Sequence, residues 1–204
     1  LGNALGILSG ERTALNILQH LSGIATMTRR VVRAIQHTGV EVQDTRKTHP
    51  GLRSWEKYAV RMGGGKNHRG SLADQLFIKD NHVALCGGIN NALRKLSKSA
   101  RQIAIVEVRD FREAKWAISA GARRLLLDNQ KPDTLQRTVR ALRKIDKNVW
   151  LEASGGITPE NAVAYAQTGV DAISLGALTH SPRAANLSLE ILVRGVPPRL
   201  FVRA

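Results

Sequence analysis

Between Ser9 and about His37, apolar or small residues recur at Ala14, Leu18, Leu21, Ala25, Thr28, Val32 and Ile35. Their alternating steps of four and three place them on one face of a long amphipathic helix. Gly23 lies inside this stretch, where glycine costs about 1 kcal/mol relative to alanine, so the helix is expected to kink or break there. After Gly39 the texture changes to short apolar runs, each closed by a polar or glycine-rich turn and followed by a helical pattern. These runs are Val40 to Gln43, Leu76 to Ile78, Ile103 to Val108, Leu125 to Leu127, Val149 to Ala153 and Ala172 to Leu175, with a seventh candidate near Leu187 to Val193. Thr158 can cap a helix whose first position is Pro159, and Gly121 and Gly169 stand where helices should stop.

The later strands end near residues 107, 128, 153 and 175, spaced by 21, 25 and 22 residues, the length of one strand plus one short helix. Repeated βα units imply a parallel sheet. Pattern alone also admits a doubly wound open sheet, but none of the strands has the composition of a protected edge, which favours closure. The expected architecture is therefore an α/β fold: a parallel, TIM-like barrel, incomplete, with six to seven strands and a long helix ahead of it. The 204 residues read as one domain, a helical lead-in over 1–38 and βα repeats over 39–204.

Composition narrows the setting. The single cysteine, Cys86, excludes an internal disulfide framework, and the sequence shows neither a signal peptide nor a long apolar run, so the cytoplasm is the expected compartment. A formal charge of +15 calls for an anionic partner. Nucleic acid is a poor candidate, because only 4% of residues are aromatic and able to stack on bases. Most basic residues, among them Arg29, Arg30, Arg33, Arg94, Lys95, Lys98, Arg140, Arg143 and Lys144, read as a solvated basic surface.

In a parallel barrel the working groups gather at the C-terminal ends of the strands. Those ends carry Thr45, Arg46 and Lys47; Lys79, Asp80 and Asn81; Glu107; Asp128 and Asn129; Ser154, Gly155 and Gly156; and Gly176. Arg46 can grip a carboxylate or phosphate bidentately, with Lys47 beside it as a compact cation. In MGGGKNHRG (Met62 to Gly70) three glycines allow close backbone approach to a ligand, and His68 and Arg69 add two donors. Glu107 and Asp128 each follow a near-continuous apolar run, a costly place for a charge unless a metal, cation or ligand hydroxyl meets it. They could bind Mg²⁺ or ribose hydroxyls; alternatively Asp128 caps the helix near Pro132. The turn SGGIT (Ser154 to Thr158), leading from a strand into a helix, fits a phosphate site, with Gly176 completing it.

Together these segments resemble quinolinate phosphoribosyltransferases, from ERTALNILQHLSGIATMT (Glu11 to Thr28) to LEASGGITPENAVAYAQTGVDAISLGALTHS (Leu151 to Ser181). DTRKTHPGLR, KYAVRMGGGKNHR and FIKDNH are the most specific parts. The resemblance implies transfer of phosphoribosyl from phosphoribosyl pyrophosphate to quinolinate with decarboxylation, giving nicotinate mononucleotide, in NAD biosynthesis. It also implies roles for particular residues. Arg46, His68 and Arg69 match the groups that hold the two carboxylates of quinolinate, Thr45 lies beside them, and Lys47 and Lys79 match lysines facing substrate and phosphate. Glu107 and Asp128 match an acidic pair near the ribose and its Mg²⁺, and with Lys47 form the implied catalytic set. Ser154, Gly155, Gly156 and Gly176 fall where the phosphate cradle is expected, with His180 close by. Arg12 matches an arginine that family dimers insert into the neighbouring site, so the resemblance implies a homodimer.

Departures from the family pattern are few. An N-terminal α+β domain of roughly a hundred residues, an ordinary size for a small domain, is expected ahead of this segment and is largely absent. The first residue, Leu1 rather than Met, agrees with a fragment. Gly70 and Ser71 stand where a residue followed by glycine is usual, and Ile105 stands where an acid is common. Related enzymes acting on nicotinate or nicotinamide have one carboxylate or none to neutralise, so the cluster of Arg46, His68 and Arg69 argues for a dicarboxylate. The intact NHR and IKDNH segments point away from a relative associated with molybdenum transport. The alternative class is a truncated or divergent barrel that binds an anionic ligand or nucleic acid without catalysis.

Overall fold

The computed structural model describes residues 3–191. Helix α1 (Ala4–Ile35) opens on Asn3, whose side chain accepts from Leu5 N and Gly6 N, and it runs through Gly23 in one piece. The expected break is absent because Gly23 serves packing: a Cβ there would lie 2.1 Å from the Arg183 carbonyl oxygen. Backbone crosses α1 where only glycine leaves room. Beyond it come β1 (Glu41–Gln43), α2 (Arg53–Met62), β2 (Phe77–Ile78), α3 (Asp80–Leu85), α4 (Ile89–Arg94) and α5 (Lys98–Ile103). Then follow β3 (Ile105–Val108), α6 (Phe111–Ser119), β4 (Arg124–Asp128), α7 (Pro132–Ile145), β5 (Trp150–Ser154), α8 (Ala162–Ala166), β6 (Ala172–Ser174) and α9 (Ala177–His180).

The six strands form one parallel sheet in the order β1-β6-β5-β4-β3-β2. From β2 to β6 each strand neighbours its successor, with no reversal of direction, so the sheet is singly wound rather than doubly wound. Residues from all six strand ends line one cavity, which requires the sheet to curl. Closure is incomplete: no ladder joins β1 to β2, and a segment at residues 66–69 fills the gap instead. Lys66 pairs with Gln43 as a single parallel bridge, and the Arg69 guanidinium lies 4.5 Å from the Phe77 ring centroid on β2.

Several expected boundaries move. Ile103 ends α5 rather than beginning β3, and Ala104 adopts extended backbone between them. Helix α8 starts at Ala162, not Pro159, because the Asn161 side chain accepts from Thr158 N at 2.8 Å and donates to Gly156 O, making residues 156–161 a separate turn. Of the seventh candidate strand, residues 187–191 form no strand and 192–193 lie outside the described residues. The chain instead runs along α1, with Ala185 N donating to Gln19 O and the Gln19 amide donating to Leu187 O. Arg143 is no solvated surface charge: it grips both Asp171 oxygens at 2.7 and 2.8 Å, tying α7 to the entry of β6.

Strand alternation separates two interiors. Val42, Ile78, Val106, Val108, Leu125, Leu127, Leu151, Ala153 and Ile173 face outward and pack with α1, α6, α7 and α8 into the main core. On α7, Leu135, Thr138, Val139 and Leu142 supply the buried stripe. Each fully buried leucine or isoleucine contributes roughly 1.5–3 kcal/mol relative to exposure. The alternate residues point into the barrel, where Phe77, Ile105 and Leu126 form a small apolar plug beneath the strand ends. Ile105 is thus part of the floor.

Candidate active site

Above the plug lies a cavity of about 510 Å³, a size that takes a small-molecule ligand. Thr45, Arg46, Lys47, His68, Arg69, Lys79, Glu107, Asp128, Ser154, Gly155, Gly156, Gly176 and His180 all line it. Of the residues to which the resemblance gives a role, Arg12 alone lies elsewhere, exposed on α1, while Asp80 and Asn81 of the strand-end set line an adjoining cavity.

Side chains behind the cavity hold the two basic loops in place. Arg53 donates to the Thr48 hydroxyl at 2.9 Å, to Gly70 O at 3.0 Å and to Arg46 O at 3.3 Å, joining the loop after β1 to the loop that carries Arg69. The Thr179 hydroxyl donates to Lys47 O at 2.8 Å and binds that loop to α9. Asp44, fully buried at the end of β1, accepts from Lys57 at 2.5 Å, from Asn67 at 2.6 Å and from His68 N at 2.9 Å. Burial pushes its carboxyl above the usual range, against the opposing pull of Lys57, Asn67 and His68 N–H. The substitution of Gly70 and Ser71 for the usual pair also has a local account, because Asp74 accepts from both backbone N–H groups and from the Ser71 hydroxyl.

Charge in the cavity is segregated. Lys79 pairs with Glu107, and its ammonium lies 4.6 Å over the Phe77 ring. Among the described residues, Arg46, Lys47 and Arg69 make no ion pair with any carboxylate. Burial lowers the Arg69 guanidinium from its ordinary value, the positive charge of Arg46 lowers it further, and Glu107 opposes this. Cations held close enough to repel and without carboxylate partners form a site for an anion. Asp128 accepts from the Asn129 amide at 2.8 Å and does not cap α7, whose N-cap is Lys131.

Glycine is required where the loops converge. A Cβ on Gly176 would lie 3.0 Å from Lys47 Cδ and 3.1 Å from the His180 ring, so its absence lets both reach the cavity. Gly155, at φ +90°, would place a Cβ 2.3 Å from Asn129 Oδ1. Because α8 starts later than expected, the SGGIT turn does not open directly into a helix, and its capacity for phosphate rests on the glycine backbone and the neighbouring Gly176.

Sequence reasoning missed Phe77, Leu126, Glu152, Ser174 and Ala177 as lining residues, whereas Asn129 at its strand end and Ile157 and Thr158 in the SGGIT turn do line the cavity. Glu152 is the most consequential. It is 1% exposed, its Oε1 accepts from the Ser174 hydroxyl, and its Oε2 has no hydrogen-bond partner among the described residues. His68 Nε2 lies 3.5 Å from that oxygen, while His68 Nδ1 accepts from Arg69 N at 2.8 Å. With Nδ1 accepting, the ring proton sits on Nε2 and faces the carboxylate. A signal existed in the sequence: Glu152, Ser174, Phe77 and Leu126 stand two residues before Ser154, Gly176, Lys79 and Asp128, the repeat of one face of a strand.

Comparison with known proteins gives a consistent result. The family model described as quinolinate phosphoribosyl transferase, C-terminal domain, matches residues 24–190. A probable nicotinate-nucleotide pyrophosphorylase [carboxylating] of Bacillus subtilis is 49% identical over 193 residues, covering 93% of this chain and 65% of that protein. The nicotinate-nucleotide pyrophosphorylase [carboxylating] of Homo sapiens is 40% identical over 201 residues, covering 97% and 68%. The solved nicotinate-nucleotide pyrophosphorylase of Francisella tularensis superimposes with a TM-score of 0.84 at 44% identity, covering 92% of this chain and 66% of that one. This chain therefore spans about two thirds of the length of these relatives.

Proposed function

Because the chain belongs to the quinolinate phosphoribosyl transferase family, we propose that its cavity binds quinolinate and phosphoribosyl pyrophosphate and forms nicotinate mononucleotide, pyrophosphate and carbon dioxide. The observation that carries this reading is the group of cations, Arg46, Lys47 and Arg69, that among the described residues have no carboxylate partner and line one cavity at the strand ends. A dicarboxylate supplies the two negative charges that Arg46 and Arg69 lack, and His68 donates from Nε2 on the same side.

In this reading Arg46, His68 and Arg69 hold the two carboxylates and so orient the ring nitrogen toward the sugar. Lys47 and Lys79 face the donor's phosphates. Pyrophosphate leaves the anomeric carbon with its bonding pair through an oxocarbenium-like state, the quinolinate nitrogen attacks that carbon, and the adjacent carboxylate then departs as carbon dioxide, leaving its bonding pair on the ring carbon, which takes up a proton from solvent. Glu107 and Asp128 stabilise the positive charge developing on the sugar and accept from its hydroxyls. The SGGIT turn, Gly176 and His180 receive the 5′-phosphate.

The donor set also suits Mg²⁺. Glu107 and Asp128 are hard oxygen ligands that line both the main cavity and an adjoining one of about 320 Å³, as expected of an ion held by one or two carboxylates and substrate phosphates. When bound there, Mg²⁺ would supply charge neutralisation to the leaving pyrophosphate. Arg12, on the exposed side of α1, takes part only if a second copy presents it, so the reading includes a homodimer with the site completed across its interface.

The test is to incubate the purified chain with phosphoribosyl pyrophosphate, Mg²⁺ and either quinolinate or nicotinate, and to follow nicotinate mononucleotide by chromatography. Product from quinolinate alone is expected. Equal turnover of nicotinate, or no product from either acid, contradicts the proposed function.

A further inference from the structure

Behind the loop that carries Arg46 and Lys47 lies a second cluster with its own chemistry. His20 on α1, His49 in the loop after β1 and Glu56 on α2 bring their ligand atoms within 4.8 Å of one another. His20 Nε2 and His49 Nδ1 each lie 2.7 Å from the same Glu56 Oε1, and His49 N donates to Oε2 at 3.2 Å. The two rings stand edge to face with centroids 5.0 Å apart. The Glu56 side chain is 0% exposed whereas those of His20 and His49 are 24% and 49% exposed, so the carboxylate closes the inner side and the imidazoles open outward.

The charge of Glu56 distinguishes a site from a plain hydrogen-bonded triad. No lysine or arginine pairs with this carboxylate among the described residues. Two neutral imidazoles would leave its buried negative charge without a compensating cation, a costly state. A proton can protonate one ring. A divalent ion can engage both nitrogens and the oxygen at once.

We propose that His20, His49 and Glu56 form a site for a borderline divalent cation of the Zn²⁺ class. Two imidazoles and a carboxylate from three separate elements leave a fourth position open to water on the exposed side, the ligand number of a three-residue zinc site. Metal–ligand bonds of about 2.0–2.2 Å need ligand atoms somewhat further apart than a hydrogen bond, so both rings draw back slightly from Oε1 as their shared protons leave. The ion joins the Arg46 and Lys47 loop to α1 and α2 without entering the cavity. The inference stands apart from the proposed reaction.

Equilibrium dialysis of the metal-stripped chain against Zn²⁺, repeated with Co²⁺ to read the ligand geometry from its visible spectrum, tests it. One ion per chain is expected, with tetrahedral Co²⁺ absorption and affinity at least tenfold weaker in His49→Asn and in His20→Asn. Half-exposed His49 makes the first variant decisive, since its folding can be verified by circular dichroism without metal. A Glu107→Gln/Asp128→Asn double variant, which removes carboxylates of the cavity, is expected to bind Zn²⁺ as before. The proposal is overturned if no stoichiometric ion is taken up, if both histidine variants bind as well as the parent, or if binding disappears in the double variant.

Discussion

Glu152 shows how a single residue sets the behaviour of its neighbour. The carboxylate is sealed under the cavity, held by the Ser174 hydroxyl, and its free oxygen faces His68 Nε2. The Arg69 N–H at Nδ1 sets the His68 tautomer, and the charge facing Nε2 makes Glu152 a positioning residue for the ring. Glu152→Gln removes the charge while keeping the shape, and its KM for quinolinate is expected to rise about tenfold, equivalent to ~1.4 kcal/mol, with kcat changed far less. Steady-state kinetics, read as the split between KM and kcat, check this. An unchanged KM would leave Glu152 a purely structural residue. The sequence made the outer row of strand-end residues readable because polar groups there interrupt apolar runs. The inner row escaped because Phe77 and Leu126 look like ordinary core, and Glu152 sits between Leu151 and Ala153 in a run that reads as buried strand.

Among the elements, α1 departs most from expectation, and the reason is tertiary. Propensity alone places a weak point at Gly23, yet the helix is continuous where the chain at Arg183 and Ala184 crosses it, and Gln19 binds the residues that follow, at Ala185 N and Leu187 O. Gly23→Ala makes this a quantitative contest. Helix propensity favours alanine by about 1 kcal/mol, whereas a Cβ at 2.1 Å from a carbonyl oxygen forces backbone apart, and overpacking of that kind costs about 1–3 kcal/mol. The variant is expected to be less stable in urea or thermal unfolding; a stabilised variant would show that the crossing segment yields freely. The same crossing accounts for the lack of strand over the described residues 187–191, since Ala185 N and Leu187 O are bonded to Gln19 on α1. Local sequence holds no trace of this, because both partners lie more than 160 residues apart.

For the whole molecule, the βα spacing and the change of texture after Gly39 give a parallel sheet, because each unit repeats one strand and one helix, but they admit a doubly wound sheet as well; the strand order is what makes it singly wound. What spacing could not give was the way the gap is filled: the segment with Lys66 and Arg69 stands in for a missing strand pairing, and it does so through one bridge and a cation over Phe77. Assembly is the other property beyond a single chain. Exposed Leu5 and Leu8, seven and four residues before Arg12, share its face of α1, an apolar surface that suits burial against a second copy. If Arg12 completes the neighbouring site, Arg12→Ala and Lys47→Ala chains, each inactive alone, should recover activity when mixed and reassociated, because each mixed dimer then contains one intact site. Assay of the mixture checks this, and a mixture as inactive as its components would mean that Arg12 acts within its own chain or not at all.

The central claim is that the unpaired cations of the cavity recognise two carboxylates on one ring, and titration calorimetry with quinolinate tests it most directly. The chain is expected to bind quinolinate at least tenfold more tightly than nicotinate, and Arg46→Ala to lose roughly 1.5–3 kcal/mol, about tenfold to over a hundredfold in affinity. Equal affinity for the two acids, or an Arg46→Ala chain that binds quinolinate as the parent does, would contradict the account.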